Sequence, residues 1–476
     1  MNNFEKYNEL REKFPEFIFK GFDYEDTGEE LHITYNFSVP GLSDFAPDWR
    51  IPKSREMGYI EDEIDENITF QNMIFNLGMI ELVSYYKIAC PKNVIIDVPG
   101  ALAYIDEDAL FWWKEQYFYG LGEFFYTNEI PLDKEGFMNI SFGERASMGA
   151  DKLKGHSRYA DVYDYNEIKR DSKRFMIPVG GGKDSAVTLE LLKEYKKDSY
   201  CYMINGRGAT FATAAAADFD GEHVIVAKRS LDKRMLDLNK AGYLNGHTPF
   251  SAMTAFSCIL VGYMYGLPYV ALSNESSANE STVEGSTVNH QYSKSFEFEH
   301  DFVTYEEKYI KSGVKYFSLL RPWSEYQIAR EFAKHEQYFR IFRSCNVGSK
   351  EDKWCGHCAK CLFVYYILSP FIDADEMVKI FGKNLLGDES LWELTRELTG
   401  MVSQKPFECV GSRSEVNIAI SETIAKFERE GRPLPVLLAK YKDTPLSKPY
   451  REEENPYINY FETRNNVPEF LIGLLK

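Results

Sequence analysis

Three groups of residues in this sequence could do chemistry. The first is a glycine turn, Gly180–Ser185, inside "FMIPVGGGKDSAVTLELLKEY" (175–195), between an apolar run and a helix-like run. Gly180, Gly181 and Gly182 permit backbone angles closed to other residues and let a ligand approach the main chain, while free N–H groups at a helix start attract anions. Lys183 can add a positive charge, Asp184 can hold a magnesium ion bridging phosphates, and Ser185 can donate a hydroxyl. The turn therefore predicts a phosphate site. It lacks the spacer of a Walker loop and is not a dinucleotide fingerprint.

The second group is Cys345, Cys355, Cys358 and Cys361, spaced C-x9-C-x2-C-x2-C in "RSCNVGSKEDKWCGHCAKCLF". Four thiolates at this spacing suit a tetrahedral zinc with no open position, hence a structural site. An iron–sulfur cluster or unliganded thiols are the alternatives. Lys353, Lys360 and Arg343 would offset the charge, and His357 reads as a neighbour rather than a ligand. The third group is polar: Asn274, Glu275, Asn289, His290, Lys294 and Glu297 crowd after an expected buried strand, and "NKAGYLNGHTPFSA" (239–252) lies at another strand end.

The elements that must position these groups follow from alternating patterns. From Arg174 onward, apolar runs at 175–179, 199–204, 223–228, 269–273 and 315–320 are separated by helix-length segments. Such alternation predicts a parallel sheet whose ligands sit beyond the carboxyl ends of the strands. Thr188, Leu191, Leu192 and Tyr195 supply the inner face of the helix after the glycine turn. Residues 1–165 read as an α+β domain, with an amphipathic segment "NMIFNLGMIELVSYYKIA" and an aromatic "ALFWWKEQYFYGLGEFFY"; its Trp49, Trp112 and Trp113 are expected in the core. The charged stretch Tyr159–Lys173 reads as a linker. The expected division is thus 1–165, 166–343 for nucleotide binding, 344–364 for the cysteine cluster, and a helical portion at 365–476.

A chain of 476 residues with 44% hydrophobic and 15% aromatic content can build sizeable cores. A net charge of −18, from 73 acidic against 55 basic residues, argues against coating nucleic acid. The stretch from Ala241 to Asn274 lacks charge but is broken at Gly266–Pro268, which predicts a buried helix then a buried strand rather than a membrane span. "MNNFEKYNELREKF" lacks the order of a signal peptide, so the expected location is cytoplasmic.

"GGGKDS" resembles the pyrophosphate loop of the PP-loop ATP pyrophosphatases, with Gly180 where that family has serine. More specifically, "PVGGGKDS", "GYLNGHTPFSA", "LSNESSAN", "VNHQYSKSFEFE", "WCGHCAKC" and "KPFECVGS" (405–412), with "FAPDWRIP", "LGMIELVSYYK" and "GLGEFFY" near the start, resemble the ATP-dependent UDP-N-acetyl-α-D-muramoyl-L-alanyl-L-glutamate epimerases. The resemblance implies an α/β fold with a parallel five-stranded sheet of the adenine nucleotide alpha hydrolase (PP-loop) type. It also implies inversion of a terminal glutamate in a peptidoglycan precursor through an acyl-adenylate, giving AMP and diphosphate, in an isomerase of cell wall biogenesis and cell shape. Gly180–Ser185, Asn274 and Glu275 would hold ATP and Mg2+, and Zn2+ would sit on the four cysteines. His290, Lys294, Glu297 and Cys409 are the catalytic candidates. The partner would be a small nucleotide-dipeptide, with neither nucleic acid nor membrane. Competing readings are an enzyme like 7-cyano-7-deazaguanine synthase, another PP-loop adenylating enzyme, and a non-catalytic zinc-stabilised nucleotide-binding module.

Overall fold

The computed structural model describes residues 2–53, 68–155, 172–348 and 351–476. The linker expected over 159–173 lies, up to residue 171, outside the described residues. The chain forms two compact units: Met1–Met176 with Ile225–Val270 and Phe298–Tyr316, and Ile177–Val224 with Ala271–Glu297 and Phe317–Lys476.

In the first unit, β1 (Glu16–Asp26) and β2 (Glu30–Val39) form a long antiparallel pair, bordered by β3 (Ser43–Phe45) and β4 (Asp48–Pro52) beside β2, and by β5 (Asn93–Ile96) and β6 (Asn139–Phe142) running parallel beyond β1. Alternation sets the register: Leu31, Ile33, Tyr35 and Phe37 of β2 are all buried.

The helix Ile68–Tyr86 contradicts the expected amphipathic pattern, because every residue except Gln71 is buried. Its polar groups are satisfied internally. Asn76 Nδ2 donates to the Asn72 backbone oxygen at 2.9 Å, and the Glu81 carboxylate accepts from Arg229 Nη2 at 2.6 Å and from Trp49 Nε1 at 3.2 Å. Hydrogen-bonded in this way, polar residues enter a core without the desolvation penalty of an unpaired group. Trp49 and Trp113 are fully buried, as expected of core aromatics, whereas Trp112 is only partly buried and stacks on Tyr305 with centroids 4.1 Å apart.

The five apolar runs after Arg174 form β7 (Phe175–Pro178), β8 (Tyr200–Ile204), β9 (Val224–Ser230), β10 (Tyr269–Leu272) and β11 (Lys315–Ser318). They are neighbours in the order β11-β10-β7-β8-β9, and β10 runs parallel to β7. They do not make a separate parallel five-stranded sheet. β9 pairs antiparallel with β4, Trp49 opposite Arg229, so the strands belong to one mixed 11-stranded sheet. The uncharged stretch after Ala241 becomes the helix Phe250–Met264 followed by β10, both largely buried. Among the described residues no helix is long and apolar enough to cross a membrane.

The second unit has a helical core. Ala186 and Val187 of the helix Lys183–Leu191 pack with Leu362, Phe363 and Tyr366 of the helix Ala359–Leu368 and with Val416 and Ile420 of the helix Arg413–Arg429. Thr188 and Leu192 face inward as expected, while Leu191 and Tyr195 are only partly buried because the α-helix ends at Leu191.

Candidate active site

The glycine turn lies in the second unit, with Gly182 as the N-cap of the helix Lys183–Leu191. Gly181 has φ of 81°, and a Cβ there would lie 2.9 Å from the Ala209 carbonyl carbon and 3.0 Å from Thr210 N, at the start of the helix Gly208–Ala216. Only glycine combines that backbone angle with that approach. Gly180 would meet nothing within 4 Å, and Gly182 only Ser344 Cβ at 3.5 Å. The Arg343 N–H donates to the Gly181 oxygen at 2.8 Å, and Ser185 Oγ donates to the Gly182 oxygen at 3.0 Å.

Lys183 is buried and its ammonium bonds both Asp184 and Glu325. Burial works against the Lys183 charge, but the two carboxylates more than reverse this and raise its pKa. Burial also opposes ionisation of Asp184, yet Lys183, Lys360 and Lys294 outweigh it and hold this carboxyl low. Glu325 goes the other way: burial raises it, and Asp184 and Glu275 add to the rise against the opposing Lys183. Oxygens of Asp184, Glu275 and Glu325 lie within 4.8 Å of one another, so the three carboxylates could hold a cation. Asn274 is turned to a structural bond, its Nδ2 donating to Ser318 Oγ at 3.1 Å.

Three of the four catalytic candidates come together although Cys409 is over 100 residues from the others. Cys409 Sγ is 3.7 Å from His290 Nε2. Burial alone would raise the Cys409 thiol; Lys294, His290 and Lys360 outweigh it and bring it down to about 6. The facing Cys409 in turn raises the pKa of Lys294, so this half-buried amine stays an ammonium. The fourth candidate, Glu297, is exposed near the start of the helix Phe296–Tyr305.

Backbone pairing holds the two segments together. Lys405 N donates to Thr282 O at 2.9 Å, Val283 bridges to Gln404, and Gln291 Nε2 donates to Val410 O at 2.9 Å. Arg321 braces the other side, with Nη1 bonded to Glu275 O and Nη2 to Lys294 O.

The four cysteines converge as their spacing predicts. Their sulfurs lie within 4.8 Å of one another, at 3.9 Å for Cys345–Cys358, 3.7 Å for Cys355–Cys361 and 3.5 Å for Cys358–Cys361. Thiolates around a tetrahedral zinc stand about 3.8 Å apart, given Zn–S of about 2.3 Å, so this donor set could hold a metal. Gly348 N donates to Cys345 Sγ at 3.2 Å. Exposed His357 sits outside the four sulfurs, with Nδ1 3.0 Å from Cys355 O. Lys353 is paired with Glu351, whereas Arg343 donates to the carbonyls of Arg340, Phe342 and Asp352. Arg343 thus ties the loop entering the cluster to the glycine turn.

Sequence patterns did not single out Glu325 or Glu415. Glu325 follows the N-cap Ser324, whose capping box with Gln327 is the one local signal of a helix start there. Its N–H donates to Glu415 Oε1 at 2.8 Å, and Glu415 is itself raised by burial.

The chain matches the MurL N-terminal domain over residues 8–319 and the MurL C-terminal domain over residues 341–451. A protein of Xanthomonas oryzae pv. oryzae named UDP-N-acetyl-alpha-D-muramoyl-L-alanyl-L-glutamate epimerase is 34% identical over 360 residues, covering 74% of each chain. Proteins of the same name from Salinispora tropica and a Micromonospora species are each 33% identical, over 75% of this chain and 74% of the first, and 76% of this chain and 76% of the second. No solved structure matches the chain. With both domains matched in order and relatives of this name identical at a third of the aligned positions, the chain belongs to the MurL epimerase family.

Proposed function

We propose that this protein inverts the terminal L-glutamate of UDP-N-acetylmuramoyl-L-alanyl-L-glutamate to D-glutamate in peptidoglycan precursor synthesis, with ATP consumed to AMP and diphosphate. The observation that carries the reading is the partly buried Cys409–His290–Lys294 group, whose Lys294 also acts on Asp184 beside the glycine turn. Acid–base groups and a candidate anion-binding turn thereby share one electrostatic environment. The names of the relatives supply the substrate.

The chemistry needs both halves. An α-proton beside a carboxylate is hard to remove, because the carbanion would form next to an existing negative charge. Joining that carboxylate to AMP as an acyl-adenylate, the step ATP supplies, removes the charge and lets the developing enolate be stabilised by fixed donors. The turn Gly180–Ser185 offers its backbone N–H groups and Lys183 to phosphate oxygens, in a PP-loop arrangement after a buried strand. Asp184, Glu275 and Glu325, whose oxygens lie within 4.8 Å of one another, would hold Mg2+. The ion would neutralise phosphate charge.

Cys409, ionised above about pH 6, accepts the α-proton. Lys294 remains an ammonium and faces the developing negative charge, His290 serves to return a proton, and water then cleaves the mixed anhydride to restore the carboxylate and release AMP. Glu297 has no part in this scheme. The cysteine cluster would hold structural Zn2+, which supplies a rigid cross-link rather than a reactive water.

The test is incubation with ATP, Mg2+ and the UDP-muramoyl-L-alanyl-L-glutamate substrate, measuring AMP, diphosphate and glutamate chirality. D-glutamate with AMP supports the reading. AMP with retained L-glutamate makes the protein a different adenylating enzyme.

A further inference from the structure

We infer that Lys360 is a positioning residue that couples the four-cysteine centre to Cys409, so that metal held by the cysteines sets the state of the thiol used in the reaction. The helix Ala359–Leu368 begins inside the cysteine centre: Cys358 is its N-cap, with Sγ accepting from Cys361 N at 3.5 Å. One residue into that helix, buried Lys360 grips the Glu408–Cys409 segment twice. Its N–H donates to Glu408 Oε2 at 2.9 Å, and its ammonium donates to the Cys409 backbone oxygen. The same helix meets this segment again at Gly411, where a Cβ would come within 3.0 Å of the Phe363 ring.

On its other side the stretch 404–410 pairs with 282–291, so Cys409 is held between two walls. The charged groups acting on its thiol are Lys294 and His290 from one wall and Lys360 from the other. Only the Lys360 wall starts at the metal-ligand set. Losing the metal frees Cys358 and Cys361, loosens the first turn of the helix, and withdraws both the grip and the charge. Lys360 also acts on Asp184, so this cation is tied to the cysteine centre, the thiol and the glycine turn together. This coupling rests on the proposed role of Cys409, but its test does not depend on the substrate.

The experiment uses the full chain loaded with zinc, and follows iodoacetamide labelling of Cys409 by peptide mass mapping as a function of pH. Removing this cation should move the labelling midpoint up by about one pH unit and slow labelling at pH 7 about twofold in K360M. K360R, which keeps the charge and donors, should restore most of the rate. Stripping zinc from the unmutated chain should slow Cys409 labelling toward the K360M value, and stripping K360M should add little. Superimposable labelling profiles for K360M and the unmutated chain, or no change on stripping zinc, overturn the coupling. AMP formation in the same variants reports on the adenylation reading separately.

Discussion

Replacing Gly181 by alanine tests the geometry of the glycine turn against its two neighbours. The left-handed backbone at φ 81° costs a residue with a Cβ about 1–2 kcal/mol. The added methyl carbon would stand 2.9 Å and 3.0 Å from backbone atoms of Ala209 and Thr210, which cannot swing aside as a side chain could. Overpacking of this kind adds about 1–3 kcal/mol, for a total of about 2–5 kcal/mol. Gly180→Ala meets open space, and Gly182→Ala gains an ordinary contact at 3.5 Å, so each should stay within about 1 kcal/mol. Denaturant midpoints of the three variants, with ATP-dependent AMP release on the same preparations, give the comparison. Gly181→Ala should lose stability or shift the start of the helix Gly208–Ala216, and AMP release should fall about tenfold or more, each tenfold being worth about 1.4 kcal/mol. Equal behaviour of all three variants would refute the claim that close backbone approach demands glycine at 181. Gly180→Ser, restoring the hydroxyl found in the PP-loop family, should be accommodated for the same reason as Gly180→Ala.

Other expectations follow from the same geometry. If Cys409 is the base we propose, with its pKa near 6, kcat/KM for epimerisation should fall as pH drops through about 6 and level off above it; a rise centred near the ordinary thiol value of 9.0 would contradict the assignment. Lys294→Met removes the largest charge favouring that thiolate, so the midpoint should move upward and epimerisation at pH 7 should fall about tenfold or more, read from pH–rate profiles. Glu325→Ala removes one of the two carboxylates on buried Lys183, which keeps Asp184, and should cost about 1.5–3 kcal/mol in denaturant unfolding. Cys355→Ser should lose bound zinc by elemental analysis, and through the Arg343–Gly181 bond should also weaken ATP binding by calorimetry.

What could be read in the sequence was what is local. Gly180–Ser185 and the C-x2-C-x2-C run are contiguous, and backbone connection alone nearly suffices to bring their atoms together. The five strands after Arg174 were legible from apolar runs, but the pairing of β9 with β4 was not, since edge-to-edge pairing leaves no local periodicity. The helix Ile68–Tyr86 misled in the other direction: Asn72, Asn76 and Glu81 look like a polar face until Asn76 bonds Asn72, and Arg229 and Trp49 reach Glu81 from distant strands. At the site, His290, Lys294 and Cys409 could be named individually, while their approach depends on pairing of 282–291 with 404–410. Glu325, Glu415 and the grip of Lys360 on Glu408 and Cys409 arise where helix starts converge, which spacing along the chain cannot express.

The central claim, that adenylation makes the glutamate α-proton available to Cys409, is tested most directly by solvent exchange. In D2O with UDP-muramoyl-L-alanyl-L-glutamate and Mg2+, mass spectrometry should find deuterium at the glutamate α-carbon only when ATP is present, and Cys409→Ala should abolish it while AMP still forms. Deuterium entry without ATP, or undiminished entry in Cys409→Ala, would contradict the account.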